Sequence, residues 1–177
     1  MTIKTVFVIG AGLMGGGIAQ TAAQAGYNVF LCDLSEEAVN RGKEKIGASL
    51  ERQVKKNRIS EERKAEILEA IHTTCSYGDC AEADLIIEAV YESEAVKKNV
   101  LEKVSEYCKP EAIIATNTSS ISIAELSKSV KYPSHFLGMH FFSPVPVMKL
   151  LEIVKYIRTE QETVDIVKEF GDRKSVV

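Results

Sequence analysis

The chain of 177 residues reads as an α/β protein: a doubly wound, mostly parallel sheet with a helical hairpin insertion after the second strand. Three observations predict this. An apolar run at 3–9 (IKTVFVI) passes at once into Gly10-Ala11-Gly12-Leu13-Met14-Gly15 and then GGIAQTAAQAG, whose small residues suit a helix packed close on a sheet. A second apolar run, 28–32, ends on an acid, Asp33. Beyond it strand-like and helix-like periodicities alternate, as they do when parallel strands are joined by crossover helices.

Each further element has its own signal. Val39, Ile46, Leu50 and Val54 share one stripe of a helix over 36–56. A second helix over 60–71 opens at Ser60 with Glu61 and Glu62 in its first turn, where a hydroxyl and acids complement exposed amides. The two form the helical hairpin. There follow a short strand at 71–75, a strongly apolar strand at 84–90 (DLIIEAV), a helix at 94–107 and, after Pro110, a strand at 112–116. A helix near 121–129, strands at 136–140 and 150–154, a helix at 160–171 and a terminal apolar fragment complete the chain. No repeat, low-complexity tract or linker divides it, so residues 1–177 read as one domain.

Composition excludes several classes. A chain that is 45% hydrophobic and 27% charged supports one sizeable core. A net charge of -3, with no basic block interleaved with aromatics, argues against a nucleic-acid partner. No apolar run is long enough to span a bilayer, and MTIKTVFVIGAG has no signal-type cleavage region, so no membrane partner and a cytoplasmic location are expected. Cys32, Cys75, Cys80 and Cys108 form no CxxC pair and no histidine cluster accompanies them; buried, reduced thiols are expected, with neither metal nor disulfide framework.

The glycine turn carries chemistry. Gly10 permits the tight turn, Gly12 lets backbone approach a pyrophosphate, and Gly15 lets the helix sit close to the strand, so that amides and helix dipole face phosphates. Asp33 falls near the spacing of about 20 residues at which an acid accepts hydrogen bonds from ribose hydroxyls, which favours NAD over NADP. Its competing role is a helix cap before Ser35 and Glu36.

A second constellation lies in HFFSPVPVMKLLE, residues 140–152. His140 can take a proton and Glu152 can orient the ring, provided the chain reverses between them; Pro144 and Pro146 favour a change of direction. Other candidates fall in loops after strands, where ligands bind in such sheets. Glu92 follows the 84–90 strand and Lys97 opens the next helix; by spacing alone both read as solvated charges. Ser119 and Ser120 follow the 112–116 strand, placed either to reach a ligand or to cap the next helix.

Together GAGLMGGGIAQ, Asp33, EAVYE at 88–92, NTSS at 117–120 and GMHFFSPVPVMKLLE at 138–152 resemble the 3-hydroxyacyl-CoA dehydrogenase family, most of all its bacterial 3-hydroxybutyryl-CoA members, in order and spacing along essentially the whole chain. The resemblance implies a Rossmann-type NAD-binding domain acting on an acyl-CoA substrate. It implies that His140 is the catalytic acid or base with Glu152 as its partner, that Ser119 contacts substrate oxygen and cofactor, and that Glu92 and Lys97 contact NAD. It also places Ser49 and Lys56 at coenzyme A contacts. In oxidation, neutral His140 would take the 3-hydroxyl proton while hydride leaves carbon 3 for the nicotinamide.

This sequence departs from the family in two places. Ser143, at a substrate-contact position by the same resemblance, stands where stand-alone members commonly carry asparagine. Family members also continue into a helical C-terminal domain that closes the cleft and forms the dimer, whereas this chain stops at Val177; a stand-alone dehydrogenase cut short is expected, binding NAD but turning over acetoacetyl-CoA poorly. A homo-oligomer is expected only with that domain present. The alternatives are a non-catalytic NAD-binding module and a dehydrogenase of the hydroxyisobutyrate type, against which the HFFSPVP segment argues.

Overall fold

The fold is built on one seven-stranded sheet, seen in a computed structural model that describes residues 2–173. The terminal apolar fragment expected after the last helix lies outside the described residues. In chain order the elements are β1 (Thr5–Ile9), α1 (Leu13–Gln24), β2 (Asn28–Cys32), α2 (Glu36–Lys55), α3 (Glu61–Glu69), β3 (Ile71–Thr74), β4 (Leu85–Glu88) and α4 (Glu94–Tyr107). Then come β5 (Ile113–Thr116), α5 (Ile123–Leu126), β6 (Phe136–Phe141), β7 (Leu151–Val154) and α6 (Gln161–Arg173).

The strand order is β3-β2-β1-β4-β5-β6-β7, and every pairing is parallel except β6 with β7. The order turns about β1: the chain runs outward one way through β2 and β3, then returns to β4 on the other side. That switch point is where a crevice opens beyond the carboxyl ends of the strands. Continuous apolar runs in the central strands follow from burial on both faces. In β1, Val6 and Val8 face a cluster with Ile18, Leu31, Leu50 and Met139, while Phe7 and Ile9 face another with Ile86, Leu101, Ile114 and Phe136.

Glycine decides how closely α1 approaches this sheet. A Cβ on Gly15 would stand 1.7 Å from the Gly10 carbonyl oxygen, so only a hydrogen fits. Gly10 itself has φ +100, and a Cβ there would meet the Ala89 carbonyl oxygen at 2.6 Å.

The boundaries shift from expectation in identifiable ways. β4 begins at Leu85, and the Asp84 carboxylate just before it accepts hydrogen bonds from the backbone N–H of Lys4 and Thr5 at 2.8 and 3.0 Å and pairs with Lys109. The helix expected over 121–129 is one α-turn, α5, capped by Ser122, followed by a 3-10 turn at Ser127–Ser129. Val54 is only half-buried while the other three stripe residues are buried. Ser35 and Ser60 cap α2 and α3 by accepting from the Ala38 and Arg63 N–H groups. Between these helices the chain turns through Asn57 at φ 54, and Lys64 of α3 pairs with Glu51 of α2. Cys75 is exposed, against the expectation that all four thiols are buried. No helix among the described residues is long and apolar enough to cross a membrane.

Candidate functional site

The glycine turn presents the N-terminus of α1 at the crevice. Gly12 caps the helix without a side chain, the first turn carries no acid, and a Cβ on Gly12 would meet nothing within 4 Å. Unpaired amides and open space coincide, which is what a pyrophosphate needs. Asp33 closes the turn from the side: one carboxylate oxygen accepts from the Ala11 N–H at 2.7 Å, the other from the Leu34 N–H at 2.7 Å. It does not cap α2, a role taken by Ser35. Each oxygen keeps a lone pair for a ribose hydroxyl. The residues present therefore fit NAD.

Between this turn and the ends of β4, β5 and β6 lies a cavity of about 360 Å³ lined by Met14, Glu92, Lys97, Asn117, Ser119, His140 and Ser143, among others. His140 and Glu152 face each other as register partners across the antiparallel β6–β7 pair, and His140 Nδ1 lies 2.8 Å from Glu152 Oε2. The chain reversal that the couple requires is thus supplied by the only antiparallel rung set of the sheet among the described residues. An ionised carboxylate can only accept, so Nδ1 carries the proton and the neutral ring keeps its lone pair on Nε2. The Phe142 ring packs against the imidazole at 4.5 Å between centroids. Asn117 fixes the strand beneath, its side-chain oxygen accepting from the Phe141 N–H at 2.9 Å.

Lys97 is not the solvated charge that spacing suggests, whereas Glu92 keeps an exposed side chain. Lys97 is 1% exposed, its ammonium 2.7 Å from Glu88 Oε1, 3.2 Å from Glu92 Oε2 and 3.4 Å from the Val90 carbonyl. A buried ammonium needs such pairing to persist. Glu88, fully buried, also accepts from the Thr116 hydroxyl at 2.6 Å and the Val90 N–H at 2.8 Å. Glu92 Oε1 accepts from the Thr118 hydroxyl, from the Ser119 N–H at 3.1 Å and from the Ser120 hydroxyl at 3.3 Å. Partial burial pushes the Glu92 carboxyl up, but the Thr118 hydrogen bond and the Lys97 charge outweigh it and hold it below the ordinary carboxylate range. Ser119 and Ser120 are thus tied to Glu92 and do not cap α5.

Sequence reasoning missed Glu88, Asn117 and Thr118. The signal for Glu88 was present: an acid closing the otherwise apolar strand LIIE has to find a buried cation.

A second cavity, about 320 Å³, runs between α1 and α2 beneath Pro144–Pro146 and is lined by Gly12, Gly17, Lys45, Ser49 and Arg52, among others. Ser49 lies there; Lys56, at the end of α2, does not line it.

A doubly wound sheet with an open helix N-terminus after the glycine turn and an acid at the end of the second strand, both at the switch point, defines a Rossmann-type dinucleotide-binding domain. Comparison narrows this. Residues 5–175 match the family described as 3-hydroxyacyl-CoA dehydrogenase, NAD binding domain, and the chain belongs to that family. It is 44% identical over 168 residues to a 3-hydroxybutyryl-CoA dehydrogenase of Bradyrhizobium diazoefficiens, covering 95% of this chain and 57% of that protein. It is 41% identical over 179 residues to the fatty acid oxidation complex subunit alpha of Pseudomonas putida (strain GB-1), covering 99% of this chain and 25% of that one. The crystal structure of (S)-3-hydroxybutyryl-CoA dehydrogenase from Ralstonia eutropha superposes with a TM-score of 0.97 at 39% identity, over 99% of this chain and 62% of that one. The chain therefore spans little more than half the length of its stand-alone relatives. NAD is its cofactor.

Proposed function

We propose that this chain forms the NAD-binding part of a dehydrogenase that interconverts a short-chain 3-hydroxyacyl-CoA, of the 3-hydroxybutyryl-CoA kind, and its 3-oxoacyl-CoA. The observation that carries the proposal is the His140–Glu152 hydrogen bond across β6 and β7, beside the cavity that Glu92, Lys97 and Ser119 also line. NAD supplies the hydride acceptor for oxidation and, when reduced, the donor for the reverse direction. Gly10 to Gly15 hold its pyrophosphate, Asp33 its ribose, and Glu92 and Lys97 the wall of the cavity. His140 Nε2 takes the proton of the substrate 3-hydroxyl in oxidation and returns it in reduction. Glu152 stabilises the imidazolium in between and fixes the ring's tautomer. The Ser119 hydroxyl holds the reacting oxygen, and Ser143 borders the substrate at the cavity mouth. Ser49 contacts coenzyme A in the second cavity; for Lys56, at the end of α2, the support is the family resemblance alone.

His140→Ala tests the assignment in the enzyme as it occurs in the cell, with NADH oxidation by acetoacetyl-CoA and calorimetric NAD binding measured side by side. Turnover falls by about 10²–10⁴ while NAD affinity holds; equal losses in both would refute it. The isolated 177-residue chain binds NAD and turns over slowly, because Ser119 and Ser143 stand exposed and water reaches the reacting centre.

A further inference from the structure

The Glu88–Lys97–Glu92 triad holds two carboxylates against one ammonium. Glu88 lies wholly behind the cavity wall at 0% exposure, Lys97 at 1%, and the Glu92 side chain opens to the cavity at 40%. Among the ionisable side chains that line the cavity, Glu92 and Lys97 belong to the triad and His140 is the third. Glu152, hydrogen-bonded to His140, has the same sign as the excess; it is the same in the parent and in every variant below, so its effect cancels when their ratios are compared.

We propose that this triad, through its one uncompensated negative charge at the cavity wall, shifts the ratio of dinucleotide affinities towards the oxidised form. The inference rests on the functional reading above, which puts the nicotinamide in this cavity. The oxidised ring carries a formal positive charge and the reduced ring none, whereas the pyrophosphate at α1 and the ribose at Asp33 are common to both forms. A fixed charge near the ring therefore separates the two forms, and interactions with the shared parts cancel in the ratio of affinities. The Thr116 hydroxyl and the Val90 N–H hold the Glu88 carboxylate, which is fully buried and does not line the cavity, so its charge acts without touching ligand. Burial makes that charge effective, because little water intervenes.

The test measures dissociation constants for NAD and NADH by calorimetry on the 177-residue chain and on Glu88→Gln, Glu92→Gln and Glu88→Gln/Lys97→Met. Each single variant removes the uncompensated charge, and the ratio of affinities shifts towards NADH on the order of tenfold, the effect of one charge at about 10 Å and an effective dielectric of about 20. The double variant restores a net charge of minus one and returns the ratio to within about twofold of the parent. Loss of a merely structural tie weakens both dinucleotides alike and leaves the ratio unmoved; that result in the single variants overturns the inference. Should Glu88→Gln fail to melt cooperatively, Glu92→Gln decides alone by the same ratio, since its side chain is partly solvated. Failure of the parent chain to bind either dinucleotide overturns the functional reading itself, and this inference with it.

Discussion

Replacing Gly15 by alanine separates a glycine needed for folding from one needed for binding. The added Cβ would lie 1.7 Å from the Gly10 carbonyl oxygen and 2.9 Å from its carbon, with the Val8 side chain at 3.4 Å. The nearest obstacle is backbone, which cannot rotate away, so α1 has to retreat by about 1 Å or more from the turn it packs against. Overpacking of this kind costs about 3 kcal/mol. In a domain of this size that lowers Tm by about 6–12 °C. Gly12 is the control, since a Cβ there meets nothing within 4 Å and its φ of -71 suits any residue. Gly12→Ala therefore loses no more than about 1 kcal/mol of stability but intrudes where a pyrophosphate approaches, weakening NAD by about tenfold or more. Calorimetric melting and NAD titration on both variants read the two quantities separately. A Gly15→Ala protein that melts within about 2 °C of the parent, or a Gly12→Ala protein that binds NAD unchanged, would show that these glycines are not divided in this way.

Two further outcomes follow from the charges and thiols. Burial raises the Asp84 carboxyl, but the Lys109 ammonium and the Thr5 and Lys4 amides more than reverse this and hold it below its ordinary value. A depressed folded-state pKa gives stability that is complete above the unfolded value of about 4 and is lost as pH falls through the folded one. Asp84→Asn is expected to lose about 1–3 kcal/mol at neutral pH and to flatten the acid limb of urea-unfolding stability below about pH 4; an unchanged limb would contradict this. For the cysteines, burial pushes the Cys32 and Cys80 thiols up to about 12 and raises that of Cys108 as well, whereas Cys75 is exposed. A thiol-reactive chromogen should label one cysteine in the native chain and all four after denaturation; rapid native labelling of two or more counts against the burial described.

What the sequence alone determined was whatever depends on neighbouring residues. The order strand, glycine turn, helix and acid follows from backbone demands that only certain residue types meet locally, so β1, α1, β2 and the dinucleotide site were legible, as were the Ser35 and Ser60 neighbourhoods where α2 and α3 begin. Tertiary structure decided what depends on pairing between distant segments. His140 and Glu152 were visible as a couple but not as cross-strand partners, because register is set when β7 alone runs antiparallel at the sheet edge. Lys97 looked like a surface charge although its anions are close in sequence, because its burial depends on how the loop between β4 and α4 folds Glu88 and Glu92 onto it against the rest of the sheet. Thr118 and Ser119 likewise acquire their partner from the loop after a neighbouring strand. Local signals fix backbone conformation; the charge and geometry of the site arise from contacts that exist only once the sheet has closed around its switch point.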